Sequence, residues 1–271
     1  MAKKAFCVGI NDYPYEGNDL KGCVNDARDW AALLTRHFDF PRSDVTMLTD
    51  AQATKKSIVA GLKSLLAGAT AGDVLVFTNS SHGSYIPDKD GDETYDEVIC
   101  PHDIQDNLLV DDELYELFGG LKPGVRLTMI SDSCYSGSLS RAMLTGLLPG
   151  MTFKDDRRVR FLNPALFRRT RLLADPLGVR PRRIKARPQS KMKEVLLSGC
   201  TDSEVSYDAK IGGAYHGAMT YHAIKAIAAA KYKITYGQLA QRLNRALPSA
   251  GYFQHPQLEG KGEAKTRQIF T

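Results

Sequence analysis

Two residues of this 271-residue chain have the type and surroundings for covalent chemistry. His82 lies in Asn79-Ser80-Ser81-His82-Gly83, and Cys134 in Ser131-Asp132-Ser133-Cys134-Tyr135-Ser136-Gly137. A cysteine attacks through its thiolate, so near neutral pH it needs a base or a cation beside it. A histidine supplies one at the pH where it still exchanges protons. The histidine precedes the cysteine by roughly 50 residues, an order and spacing with precedent for a His/Cys dyad. The small polar neighbours of Cys134 make a poor core environment, unlike that of an ordinary buried structural thiol. Cys134 is therefore read as a nucleophile. His82 is read as the base that activates it and then the acid that protonates the leaving amine.

Such a pair works only if the fold brings it together. Asp73–Phe77 leads into the histidine and Arg126–Ile130 into the cysteine, and both runs are apolar and strand-like. As neighbouring parallel strands they would release both side chains at one carboxyl edge, where open α/β sheets place their ligands. Ala5–Ile10 is a third uniformly apolar run, as a central parallel strand requires. Strands are also expected at Asp44–Leu48, Glu194–Ser198 and, short and last, Gln268–Phe270. Helical spacing marks Cys23–Phe38, Thr54–Ala69, Asp111–Phe118, Ala218–Ala229 and Thr235–Leu247. The alternation predicts an α/β three-layer sandwich, a mostly parallel sheet of about six strands flanked by helices.

Composition narrows the class. Hydrophobic content of 43% and charged content of 25% are those of a globular protein. No apolar run approaches the roughly 18 residues that span a bilayer, and no signal-peptide core follows Met1, so a cytoplasmic location with no membrane partner is expected. The five cysteines form no CxxC pair, which argues against zinc and disulfide frameworks. Residues 151–193 carry 14 Lys/Arg against three Asp, so the net charge of +5 comes from one basic segment in an acidic body. With Pro164, Pro176, Pro181 and Pro188 in it, that segment reads as an exposed loop or partly disordered insert. The expected organisation is 1–150 carrying the dyad, 151–193 as linker or activation loop, and 194–271, all in one domain.

The motifs resemble the metacaspase branch of the caspase-like cysteine peptidases. Val8-Gly9-Ile10-Asn11, Gly22-Cys23-Val24-Asn25-Asp26-Ala27 and the two dyad motifs occur in the family's order. So do Asp96-Glu97-Val98-Ile99-Cys100-Pro101-His102-Asp103, Leu197-Ser198-Gly199-Cys200 and Gln254-His255-Pro256-Gln257-Leu258-Glu259-Gly260. The resemblance implies a caspase-like fold and a monomer. It also implies an oxyanion hole from the amides of Gly83 and Cys134, where fixed N–H dipoles stabilise developing oxygen charge. Asp26 and Asp132, with Cys23 and Ser80, match the pocket for the residue before the scissile bond. Paired carboxylates there favour guanidinium or ammonium, hence protein substrates cut after Arg or Lys.

No cofactor is expected for the chemistry. Asp96, Asp111 and Asp112 match positions that bind calcium in some family members, and clustered carboxylates suit that ion. Arg141 departs from the pattern, standing where a further acidic ligand is expected. Asp88, Asp90 and Asp92 resemble an EF-hand start, but Gly91 falls out of register.

The expectation is a latent endopeptidase, activated when residues 151–193 are cut by itself or by an upstream protease, with defence and cell-death signalling as compatible settings. The alternative is an inactive scaffold that binds nucleic acid or acidic partners through the basic segment. Few aromatics suited to base stacking (Phe153, Phe161, Phe167) are interleaved there, which counts against nucleic acid.

Overall fold

The computed structural model describes residues 1–87, 95–134, 156–167, 189–201 and 204–271. A six-stranded sheet forms its centre: β1 (Lys3–Gly9), β2 (Val45–Thr49), β3 (Val74–Ser80), β7 (Arg126–Asp132), β9 (Glu194–Ser198) and β12 (Gln257–Glu259). The spatial order is β12-β9-β7-β3-β1-β2. Every pairing is parallel except β12 against β9.

Strand alternation feeds two cores. Ala5, Cys7, Val74 and Val76 face one side, against Trp30, Leu33 and Leu34 of α1 (Cys23–His37). Met219 and Ile227 of α4 (Ala218–Ala229) and Leu239 and Leu243 of α5 (Tyr236–Ser249) complete that layer. Phe6, Val8, Leu75 and Phe77 face the other side, against Ile58 and Leu62 of α2 (Lys55–Leu66) and Leu114 and Phe118 of α3 (Asp111–Gly119). Strands buried on both faces must be apolar throughout, which is why β1 and β3 read as unbroken runs.

Helix starts are fixed locally. The Asn11 side chain accepts from the amides of Cys23 (2.8 Å) and Val24 (3.4 Å), capping α1 from the preceding loop. Thr54 caps α2 through the Ser57 amide, and Thr235 with Gln238 form a capping box on α5. A short helix, α6 (Gly262–Lys265), precedes the end of the chain. No helix among the described residues is long and apolar enough to cross a membrane.

Three features differ from the sequence reading. The sixth strand is β12, not Gln268–Phe270. Gln268 makes an isolated bridge to Thr235, and Phe270 turns with φ of 57°. Two small sheets were not expected, because their strands are short and of mixed polarity. One joins β4 (Gly83–Pro87), β5 (Tyr95–Ile99) and β6 (Leu109–Val110). The other joins β8 (Arg158–Val159), β10 (Tyr207–Ile211) and β11 (Ala214–Gly217).

β8 carries the third correction. Part of the basic segment is built into the body, with Arg160 and Leu162 fully buried. The composition of residues 151–193 concealed this, because one inward arginine among many has no local signature. Residues 151–155 and 168–188 of that segment lie outside the described residues.

Candidate active site

The register of β3 against β7 aligns Asn79 with Ser131 and Ser80 with Asp132. His82 and Cys134 each follow two residues later, so both leave the sheet at one carboxyl edge. Both are buried, at 3% and 0% exposure. The His82 backbone amide donates to the Tyr13 hydroxyl (3.0 Å), and the Tyr13 ring packs 4.7 Å from the imidazole. Nε2 lies 2.7 Å from the Asn18 carbonyl. A carbonyl can only accept, so Nε2 carries the proton and Nδ1 keeps the basic lone pair. Asn18 thus orients the imidazole through its backbone, a contact no side-chain motif could reveal. The Cys134 thiol donates to the Glu204 carbonyl (3.1 Å), on which the Cys200 thiol also converges (3.5 Å).

Burial lowers the His82 pKa from 6.5 to about 4, and the charges of Arg160 and Arg158 act in the same direction. The folded state therefore binds this proton less readily than the unfolded chain does. Through this group, stability falls as pH is lowered from 6.5 through 4. An NMR titration of the uncut Cys134→Ala protein should find the His82 imidazole neutral down to about pH 4. A midpoint near 6.5 would mean the site is open to water.

The Gly83 and Cys134 amides point at one oxygen, the carbonyl of Arg160, at 3.0 and 3.2 Å. Two backbone donors converging on a peptide carbonyl are an arrangement that stabilises charge as the carbonyl is attacked. Glycine is required at 83 because a Cβ there would run into the Cys134 backbone. The close approach is thus between the two amides' own strands rather than only to a substrate. The chain continues across the site: Leu162 N donates to Gly83 O (2.9 Å) and Ser84 Oγ to Leu162 O (2.7 Å).

The Arg160 side chain fills a pocket of carboxylates. Nη2 donates to Asp26 Oδ2 (2.7 Å) and Asp208 Oδ1 (3.0 Å). Nη1 donates to the Asp132 carbonyl (3.0 Å) and lies 3.5 Å from its Oδ2. Each acid is fixed from elsewhere. Asp26 accepts from Gly217 N, Asp132 from Thr220 N (2.8 Å) in the first turn of α4, and Asp208 from Lys21 N (2.7 Å) and Gly22 N (3.0 Å). Burial opposes the guanidinium charge, but the carboxylates of Asp26, Asp132 and Asp208 outweigh it and hold Arg160 charged. Burial pushes Asp132 up to about 6, against the pull of Arg160. His216 Nδ1, 3.6 Å from Asp26 and 3.3 Å from Asp29, is pushed up to about 9 by those two carboxylates.

The structure thus brings His82, Gly83, Cys134, Asp26 and Asp132 around one point. Cys23 opens α1 beside the pocket, buried, its thiol raised by burial, and Ser80 is buried opposite Asp132 in register. Asp208 and Arg160 escaped the sequence reading. Asp208 is a lone acid between Tyr207 and Ala209, and only the long-range pairing of β10 with β8 shows where it points.

The proposed calcium residues are placed as follows. Asp96 is buried on β5, and Asp111 and Asp112 begin α3. Among the described residues no three His, Cys, Asp or Glu gather into a set that could hold a metal ion. Asp88, Asp90, Asp92, Arg141 and the Tyr135-Ser136-Gly137 end of the cysteine motif lie outside the described residues.

Comparison with known proteins gives a consistent picture. The family described as "Metacaspase, peptidase C14 domain" matches residues 3–142. Metacaspase-1A of Aspergillus fumigatus is 34% identical, over 99% of this chain and 71% of its own. Metacaspase-1 of Emericella nidulans is 33% identical, over 94% and 69%. Among solved structures, protein GSU0716 of Geobacter sulfurreducens superposes with a TM-score of 0.75 at 26% identity, covering 100% of this chain and 99% of that one. Caspase-1 of Spodoptera frugiperda gives 0.55 at 10% identity, covering 95% and 86%, a likeness of fold.

Proposed function

The chain belongs to the metacaspases, the caspase-like cysteine peptidases, and from that premise we propose that it is an endopeptidase that cuts after Arg or Lys and is made latent by its own Arg160. The family's chemistry is that of a cysteine peptidase and needs no cofactor. What supports the finer reading is one observation: Arg160 lies in the carboxylate pocket with its carbonyl oxygen on the amides of Gly83 and Cys134. Its own amide donates to Ser206 O (2.9 Å), and β8 pairs antiparallel with β10. This is how an extended substrate adds a strand to a sheet edge.

In this reading the Cys134 thiol leaves the Glu204 carbonyl and gives its proton to His82 Nδ1. The thiolate attacks the Arg160 carbonyl carbon, and the oxygen takes the charge between the two amides. The C–N bond to Phe161 breaks as His82 protonates the departing nitrogen. Water, deprotonated by His82, then hydrolyses the thioester. The same dyad, once the strand is displaced, turns over other chains. A carboxylate pocket also excludes acidic side chains, so cleavage after Asp is not expected.

The test uses fluorogenic peptides ending in Arg, Lys or Asp with the purified protein. Turnover of Arg and Lys peptides, and none of the Asp peptide, is the expected result. Turnover of the Asp peptide alone would reverse the reading.

A further inference from the structure

Beyond the single residue before the scissile bond, the seated strand shows what else the site grips. Two cations three residues apart are held by dedicated groups. Arg160 is one. Arg157 is the other: its guanidinium lies 4.5 Å from the centre of the Tyr252 ring, and Nη1 donates to the Gly251 carbonyl (2.6 Å). A cation over an aromatic face, with a carbonyl at its edge, is recognised by charge and shape together. Tyr252 is itself held in place. Its ring packs against Tyr207 of β10 (5.9 Å) and edge-on to His222 of α4 (6.0 Å), and it is 7% exposed. Between the two cations, Arg158 and Val159 pair with Asp208 and Tyr207; the Arg158 guanidinium also donates to the Asp19 carbonyl, and Val159 packs partly buried against the core.

Within the main pocket the number of acids matters. A guanidinium has two nitrogen ends, and here Asp26 and Asp208 take one while Asp132 takes the other. A lysine ammonium is one point charge and cannot occupy both ends. Asp208 is anchored by two backbone amides independently of Arg160, so it is already in place when a substrate arrives.

We infer that the enzyme selects extended segments of the form Arg-x-x-Arg, with Tyr252 and the Gly251 carbonyl reading the first arginine and Asp208, beside Asp26 and Asp132, holding the second. This rests on the peptidase reading above. It adds two specificity residues, Asp208 and Tyr252, that the motifs did not indicate.

The experiment uses the wild-type chain with quenched peptides built on Arg-Arg-Val-Arg-Phe-Leu, the same peptide with Ala for the first Arg, and the same with Lys for the last. The first substitution should raise KM at least about threefold with kcat little changed, as a cation–π contact made before and during reaction predicts. The ratio of kcat/KM for the two peptides should collapse toward one in Tyr252→Leu and be restored in Tyr252→Phe. In Asp208→Asn kcat/KM for the Arg peptide should fall about tenfold or more, since one charge-assisted bond to the guanidinium is lost. Folding of each variant is followed by circular dichroism and by its thermal unfolding midpoint. Cys134-dependent cleavage that ignores the first arginine, with kcat/KM for the Arg peptide unmoved by Asp208→Asn, overturns this inference and leaves the peptidase reading standing. No cleavage of any Arg or Lys peptide overturns the peptidase reading itself.

Discussion

Replacing Cys134 by alanine is expected to lower turnover of arginine peptides at least about a thousandfold, with substrate binding retained. The backbone amide at position 134 is untouched by the substitution, so both donors to the carbonyl oxygen remain. The pocket of Asp26, Asp132 and Asp208 is likewise intact. Only the atom that forms the thioester is gone, so the loss should fall on kcat. Steady-state kinetics of the two proteins, with binding measured separately by a non-cleavable arginine peptide, checks this. Turnover within tenfold of wild type would remove Cys134 from the chemistry.

The second large effect concerns stability. Asp26→Ala in the uncut chain should cost about 3–5 kcal/mol, because it strands a fully buried guanidinium beside fewer carboxylates. It also removes the acceptor for Gly217 N. Much of that cost depends on Arg160 being present, so it should shrink in an Arg160→Ala background. A double-mutant cycle by chemical denaturation should give a coupling of about 2 kcal/mol or more between the two positions. Additive effects would mean that Arg160 does not occupy the carboxylate pocket in solution. His216 is the other cation beside Asp26. It lies 3.6 Å from Oδ1, whereas Arg160 holds Oδ2 at 2.7 Å, and it does not replace that paired contact.

The sheet and the placement of His82 and Cys134 at one of its edges were legible because they depend on local pattern. β1, β3 and β7 are short apolar runs ending in polar, glycine-containing turns, and the parallel register carries their ends to one edge. Asp26 and Asp132 were legible through their motifs. Arg160 was not. It sits in Val159-Arg160-Phe161-Leu162, the apolar stretch of a segment whose arginines and prolines suggest solvent. Asp208 and the Asn18 carbonyl were hidden for the same reason: each acts through an approach of distant chain, set by β10 and by the loop before α1. Of the basic segment, Arg160 is no part of an accessible surface: it lies inside the body against three aspartates.

The most direct measurement is the mass and amino-terminal sequence of the fragments formed when the purified wild-type chain and its Cys134→Ala variant are incubated in parallel. The account predicts a new amino terminus at Phe161 and a partner fragment ending at Arg160, in the wild type alone. A wild-type chain that stays whole while it cleaves arginine peptides at full rate, or one first cut at another bond, would contradict it.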